Sequence, residues 1–216
     1  MAIFKTLGDL KAKVDASKYV GSGDKTKRFL TLKAGEQVRF RFRQELTEDS
    51  PGYTDELGTA QLMMIQTNPG DFTKSAQWTG ESEKDGFKDW GSEQGWRPKQ
   101  HLLINVAVLT KNDNGEDVWE PRILDQKFTS AHCADQIVEF ATEYETLLDR
   151  DYKIKREGEK QATKYSITPL KIVEADDSIA DLELFDLNKA QRYVPYSEQE
   201  AFYTESQDNT KAESWE

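Results

Sequence analysis

A single cysteine, Cys133, stands in a chain of 216 residues, so no internal disulfide can form. The only two histidines, His101 and His132, cannot complete a zinc cluster with it. No cofactor and no metal are therefore expected, and the lone thiol suits reducing surroundings. Long apolar runs are absent too. Nothing approaches the roughly 20 apolar residues of a membrane span, and the opening MAIFKTLGDLKAKV holds no stretch that would serve as a secretory signal. A soluble, cytoplasmic protein without a membrane partner is the expectation. At 36% hydrophobic residues, the core is real but not generous, which favours one domain with polar appendages.

The net charge of −11 would argue against a nucleic-acid partner if it were spread evenly. It is not. Met1 to Arg43 holds 11 basic residues against 4 acidic ones, whereas Glu174 to Glu216 holds 12 acidic and 3 basic. A basic front and an acidic back can bind each other or compete for one partner.

The helical spacing of Phe4, Leu7 and Val14 predicts a short amphipathic helix over Ala2 to Asp15, within a basic arm, 1–26. The domain proper is expected over 27–194. Its first strands are read at Phe29 to Leu32 and at Gln37 to Gln44, the second being QVRFRFRQ. There Val38, Phe40 and Phe42 share one face and Arg39, Arg41 and Arg43 the other, a period of two that suits a half-buried strand. Three arginines about 7 Å apart suit a phosphate backbone. Cross-strand ion pairs with acids are the structural alternative.

A polar insertion over 45–97 follows, with a strand expected at Leu62 to Ile65 and then the sequence NPGDF. Trp78, Trp90 and Trp96 lie in it among glycines and serines. Such a cluster is either a satellite core beneath a long loop or a stacking platform for bases, and at least one ring is expected to touch a base.

HLLINVAVLT at His101 to Thr110 is the strongest strand, and Asn114-Gly115 turns it into a partner over Val118 to Phe128. Ser130 would cap a helix over Ala131 to Arg150, its apolar stripe running through Cys133, Ile137, Phe140, Ala141, Tyr144, Leu147 and Leu148. Cys133 belongs to that stripe and is given no catalytic role. A hairpin comes next over Asp151 to Pro169. Tyr152 and Ile154 alternate with Lys153 and Lys155, Gly158 supplies the turn, and Lys164, Ser166 and Thr168 alternate with Tyr165 and Ile167. One more short helix is expected within Leu182 to Tyr193, and 195–216 should be a disordered acidic tail.

Three strands, a helix and two strands form the element order of an oligonucleotide-binding barrel. The expected fold is thus mainly β (α+β), a five-stranded OB-fold barrel with a helix between strands 3 and 4 and a long insertion after the first strand.

Three parts of the chain, NPGDF at Asn68 to Phe72, GWRPKQHLLINV at Gly95 to Val106, and the spacing of Arg156, Gly158, Thr163, Tyr165 and Pro169, resemble the single-stranded-DNA-binding replication proteins of tailed bacteriophages. The resemblance spans roughly Leu30 to Leu170. It implies an OB-fold, sequence-tolerant binding of single strands in replication, recombination and repair within an infected bacterial cell, and an acidic tail that recruits a polymerase, helicase or primase. Several relatives carry cysteines resembling a zinc site between the equivalents of Phe72 and Gly95. This chain has Trp78, Phe87 and Trp90 there instead, so a hydrophobic clasp would replace metal.

The expected interface then comprises Arg39, Arg41, Arg43, Lys99, Lys153, Lys155, Arg156 and Lys164 for phosphates, with Trp78, Trp90, Trp96, His101, Asn105 and Tyr165 as further contacts. Glu213, Trp215 and Glu216 are the expected partner-binding end of the tail, and weak self-association on DNA is compatible with the charge pattern. No catalytic residue is assigned. Two alternatives stay open: a nuclease holding Mg²⁺ on Asp149, Asp151 and Glu157, and an interaction module in which the arginine strand pairs with acids.

Overall fold

A computed structural model describes residues 28–80, 88–159 and 162–205. The expected N-terminal helix, and Glu213, Trp215 and Glu216, lie outside these residues. The fold is mainly β. Seven strands, β1 (Gln37–Phe42), β2 (Gln61–Asn68), β3 (Asp71–Gln77), β4 (Lys99–Lys111), β5 (Asp117–Lys127), β6 (Arg150–Glu157) and β7 (Lys164–Ile172), are joined in the order β3-β2-β4-β1-β6-β7, with β5 on β4. The β1–β4, β1–β6, β2–β3, β4–β5 and β6–β7 pairings are antiparallel. Among the described residues, four complete short helices accompany them: α1 (Trp90–Glu93), α2 (Ala134–Tyr144), α3 (Asp177–Ala180) and α4 (Tyr196–Thr204). The chain divides into two compact units, one of residues 1–63 with 100–190 and the other of 64–99 with 191–216.

In the first unit the alternation of β1 sorts as its sequence requires. Phe40 and Phe42 are buried, and their rings contact each other and Tyr152 of β6 at centroid separations of 4.7–5.7 Å. Leu102, Ile104, Val106 and Val108 of β4, Leu124 of β5, Ile154 of β6 and Ile167 of β7 complete the same core. The stripe of α2 closes over it, with Cys133 and Ile137 fully buried and Phe140 and Ala141 partly so. The hairpin of β6 and β7 needs its glycine: Gly158 sits at φ +70°, and a Cβ there would lie 2.2 Å from the Ala162 carbonyl oxygen.

The expected five-stranded closed barrel is not what forms. Among the described residues no ladder joins β5 to β7, because other groups take the places it would need. On the side of β7 away from β6, the Tyr165 amide donates to the Ala131 carbonyl at 2.9 Å and the Ile167 amide to Gln136 Oε1 at 3.1 Å. Pro169, next on that side, has no amide to offer. On β5, Phe29 forms a bridge to Ile123, and the Leu30 amide donates to the Ile123 carbonyl at 2.9 Å. The result is an open sheet with both would-be closing edges occupied.

Other boundaries also moved. The insertion at 45–97 is not a single loop: 45–63 belongs to the first unit and 64–97 to the second, and NPGDF forms the turn between β2 and an unforeseen β3. Helix α2 stops at Tyr144, where Glu145 adopts φ 62°. The buried Glu45 carboxylate accepts from the Thr146 hydroxyl and from the Leu147 amide, drawing the chain out of helix. The helix begins at Ala134 rather than near Ser130, without a side-chain cap. Only a 3₁₀ turn at Leu187–Lys189 appears within the helix expected at Leu182 to Tyr193.

The expected tail disorder is corrected over its first part. Helix α4 forms at Tyr196–Thr204 because Gln199 and Tyr203 are buried in the second unit. Tyr203 stacks on Trp90, centroids 6.1 Å apart, and meets Trp96 edge-on at 5.3 Å. Lys74 donates to the Phe202 and Glu205 carbonyls at the helix end, both at 2.9 Å.

One ion pair ties two strands of the first unit together. Asp151 on β6 has no exposed surface and accepts from Arg39 and from Arg41 Nε, the latter at 2.7 Å. Asp151→Ala should cost about 3–5 kcal/mol in urea unfolding, since it strands the buried Arg41 charge. Glu157→Ala, which removes an exposed acid and frees only the half-buried Lys155, should leave the unfolding midpoint unchanged.

Candidate nucleic-acid interface

Strand parity builds the candidate surface. With Phe40, Tyr152 and Ile154 facing the core, Gln37, Arg39 and Arg41 of β1 and Lys153 and Lys155 of β6 face outward. The registers Lys155↔Ser166, Lys153↔Thr168 and Glu157↔Lys164 add Ser166, Thr168 and Lys164 of β7 to that face. Lys153, Lys164, Ser166 and Thr168 are exposed, and Lys155 is half-buried. The face therefore carries a row of ammonium groups between hydroxyls. Glu157 is its exposed acid, and its bond to Lys155 at 2.6 Å, with that lysine's charge and then Lys164's, holds its carboxyl below the usual range.

Arg39 and Arg41 of β1 and Arg43 just past its end do share one face by parity, but they do not share one role. Arg39 is 46% exposed at its side chain and belongs to the cationic row. Arg41 is buried: it is spent on Asp151, on the Glu174 carbonyl at 3.2 Å, and on the ring of Trp119, 5.7 Å from its centroid. Arg43 is buried against the segment 173–190, donating to the carbonyls of Ala180, Leu182 and Glu183. That burial lowers its pKa. The expectation of a three-arginine phosphate track is corrected to one exposed arginine. The reason is that the outward face of β1 is partly covered by chain that supplies carbonyl oxygens.

The remaining candidates also separate. Arg156 points the other way, donating to the Leu32 carbonyl at 2.6 Å. Asn105 is buried and holds Phe185 in both directions, its amide donating to the Phe185 carbonyl and its oxygen accepting from the Phe185 amide, each at 3.0 Å. His101 is buried with Nδ1 2.6 Å from Asp125. Tyr165 packs on the core and stacks on His132 at 5.2 Å. These four hold the fold. Lys99 is exposed and lies in the second unit.

Trp90 and Trp96 meet edge-on at 5.5 Å within the cluster of Ala76, Val194, Phe202 and Tyr203. Trp78 donates its indole N–H to Ser92 at 3.0 Å. A satellite core, one of the two expectations for this region, is what Trp90 and Trp96 join in the second unit. The tryptophan that composition did not single out is Trp119 of β5. It is half-buried, and its indole N–H donates to Asp176 at 3.1 Å. The Asp176 carboxyl is held below its usual range, chiefly by the Ser178 hydroxyl, with Trp119 and Arg41 contributing. Only the parity of β5 could have flagged this ring, and β4 beside it is apolar on both faces.

The acids proposed for the nuclease alternative are each held by a cation: Asp149 by Arg150 at two contacts, Asp151 by the β1 arginines and Glu157 by Lys155. Comparison with family models, curated proteins and solved structures found no match to any of them.

Two outcomes follow from these placements. Burial pushes the Cys133 thiol up to about 12, so the thiolate is about one part in ten thousand at pH 8. A thiol reagent at pH 8 should therefore label Cys133 only as the protein unfolds. Tyr203→Ala removes the ring shared by Trp90 and Trp96 and should cost the second unit about 3 kcal/mol, read as faster proteolysis within 64–99.

Proposed function

We propose that this protein binds single-stranded DNA without sequence preference along the outward face of β1, β6 and β7. The observation that carries the reading is the cationic row of Arg39, Lys153, Lys155 and Lys164 on one sheet face, flanked by the hydroxyls of Ser166 and Thr168. Ammonium and guanidinium groups there neutralise phosphates, and hydroxyls donate to phosphate oxygens without reading a base. Sheet-borne cations at strand spacing suit a flexible single strand, which follows the surface as a stiff duplex cannot.

The finer fold assignment belongs to the same proposal. We read β1, β4, β5, β6 and β7 as an OB barrel left unclosed. Support comes from the β1–β4, β4–β5, β1–β6 and β6–β7 ladders and from α2 lying between β5 and β6. The resemblance to phage replication proteins supports this reading and extends it to DNA replication, recombination and repair. In that extension Glu213, Trp215 and Glu216 recruit a polymerase, helicase or primase.

The test is titration of a labelled oligo-dT at several salt concentrations. Affinity should fall steeply with salt, and Lys153→Ala and Lys164→Ala should each reduce the log–log slope by about 0.7. Duplex of the same length should bind more weakly. Tighter binding of duplex, or an affinity indifferent to salt, would exclude the proposal.

A further inference from the structure

The cationic row accounts for phosphates and leaves bases without a partner. The outward face of the first unit offers one. β5 pairs Trp119 with Leu109 of β4, and β1 pairs Arg39 with Lys153 of β6, which in turn pairs with Thr168 of β7. β1 and β4 are joined at Phe40↔Val108, one residue along from Arg39 and Leu109. Trp119, Leu109, Arg39, Lys153 and Thr168 therefore form one line across the sheet, at right angles to its strands. Neighbouring strands lie about 4.8 Å apart, so Trp119 stands about 10 Å from Arg39 and about 15 Å from Lys153 along that line.

Resting on the reading above, we propose that Trp119 is the base-stacking residue of this surface and that the DNA strand crosses the β-strands rather than following one of them. The ring is held in place before any ligand arrives. Its N–H is fixed by Asp176 and the Arg41 guanidinium lies over it, so little side-chain freedom remains to be lost on binding. It is also only half-buried, and an indole keeps a π-surface that any base can stack upon. Of the other described tryptophans, Trp90 and Trp96 pack in the cluster around Tyr203, and Trp78, bonded to Ser92, lies in the second unit, whereas the cationic row belongs to the first. A nucleobase over Trp119 brings its own phosphates toward Arg39 and Lys153. Two of the four cations of the row, Arg39 and Lys153, sit on this line.

The experiment compares wild type, Trp119→Ala, Trp119→Phe and Lys153→Ala with oligo-dT, by anisotropy of a labelled oligonucleotide across a salt series and by quenching of intrinsic fluorescence. Trp119→Ala should weaken binding roughly 5- to 100-fold while leaving the salt slope unchanged, whereas Lys153→Ala should reduce the slope. Trp119→Phe, which keeps a ring and guards against a folding defect, should retain most of the affinity and lose a large part of the quenching. If Trp119→Ala binds within twofold of wild type, or Trp119→Phe is quenched as fully as wild type, while Lys153→Ala still weakens binding, Trp119 is not the stacking residue and the cationic face stands. If wild type itself does not bind oligo-dT, the reading of the whole face fails with it.

Discussion

Two arginines of β1 converge on Asp151, a carboxylate of β6 with no access to water, and the character of the outward face depends on that contact. A buried charge is tolerated only when paired and hydrogen-bonded. Asp151 takes its partners from the adjacent strand, so the pairing also helps to fix how β1 lies against β6. It removes Arg41 from solvent, leaves Arg39 half-exposed, and holds the Arg41 guanidinium over the Trp119 ring. One ion pair therefore serves packing, register and the surface at once.

Arg43 shows the complementary solution. Its acceptors are the carbonyls of Ala180, Leu182 and Glu183, so the acidic segment that runs over this part of the sheet is held by its backbone rather than by its carboxylates. The acids of that stretch remain turned to other tasks: Asp176 caps α3 and anchors the Trp119 indole, and Asp186 caps the 3₁₀ turn. The basic front and acidic back of the sequence thus do meet, through dipoles more than through opposite charges.

Parity was legible in the sequence, and register was not. Alternation in QVRFRF and in DYKIK correctly separated Phe40, Phe42, Tyr152 and Ile154 from the outward residues, and the glycine at 158 correctly marked the turn. Which acid would meet which arginine depends on strand neighbours 110 residues apart, so Arg41 and Arg43 read as a phosphate track when they are structural. The tail misled for another reason. Its mean composition is polar, but Gln199, Phe202 and Tyr203 recur at helical spacing and find Trp90 and Trp96. Barrel closure was lost to groups that strand patterns do not contain: a carbonyl at Ala131, a side chain at Gln136 and a missing amide at Pro169.

A chain with net charge −11 can still present a site for a polyanion because charge acts locally in salt water. At 0.1 M salt the screening length is about 10 Å, so acids elsewhere on the surface are felt weakly by a strand lying on the sheet. On the proposed reading, the cations of the outward face would act at contact distance from the phosphates, where screening is weakest. Asp151, the nearest acid, is already neutralised by Arg39 and Arg41, and Glu157 is offset by Lys155. The remaining acids set the long-range field, which opposes the approach of any polyanion; on the proposed reading, selectivity for a flexible single strand would follow from a face whose attraction is short-ranged and whose surroundings repel.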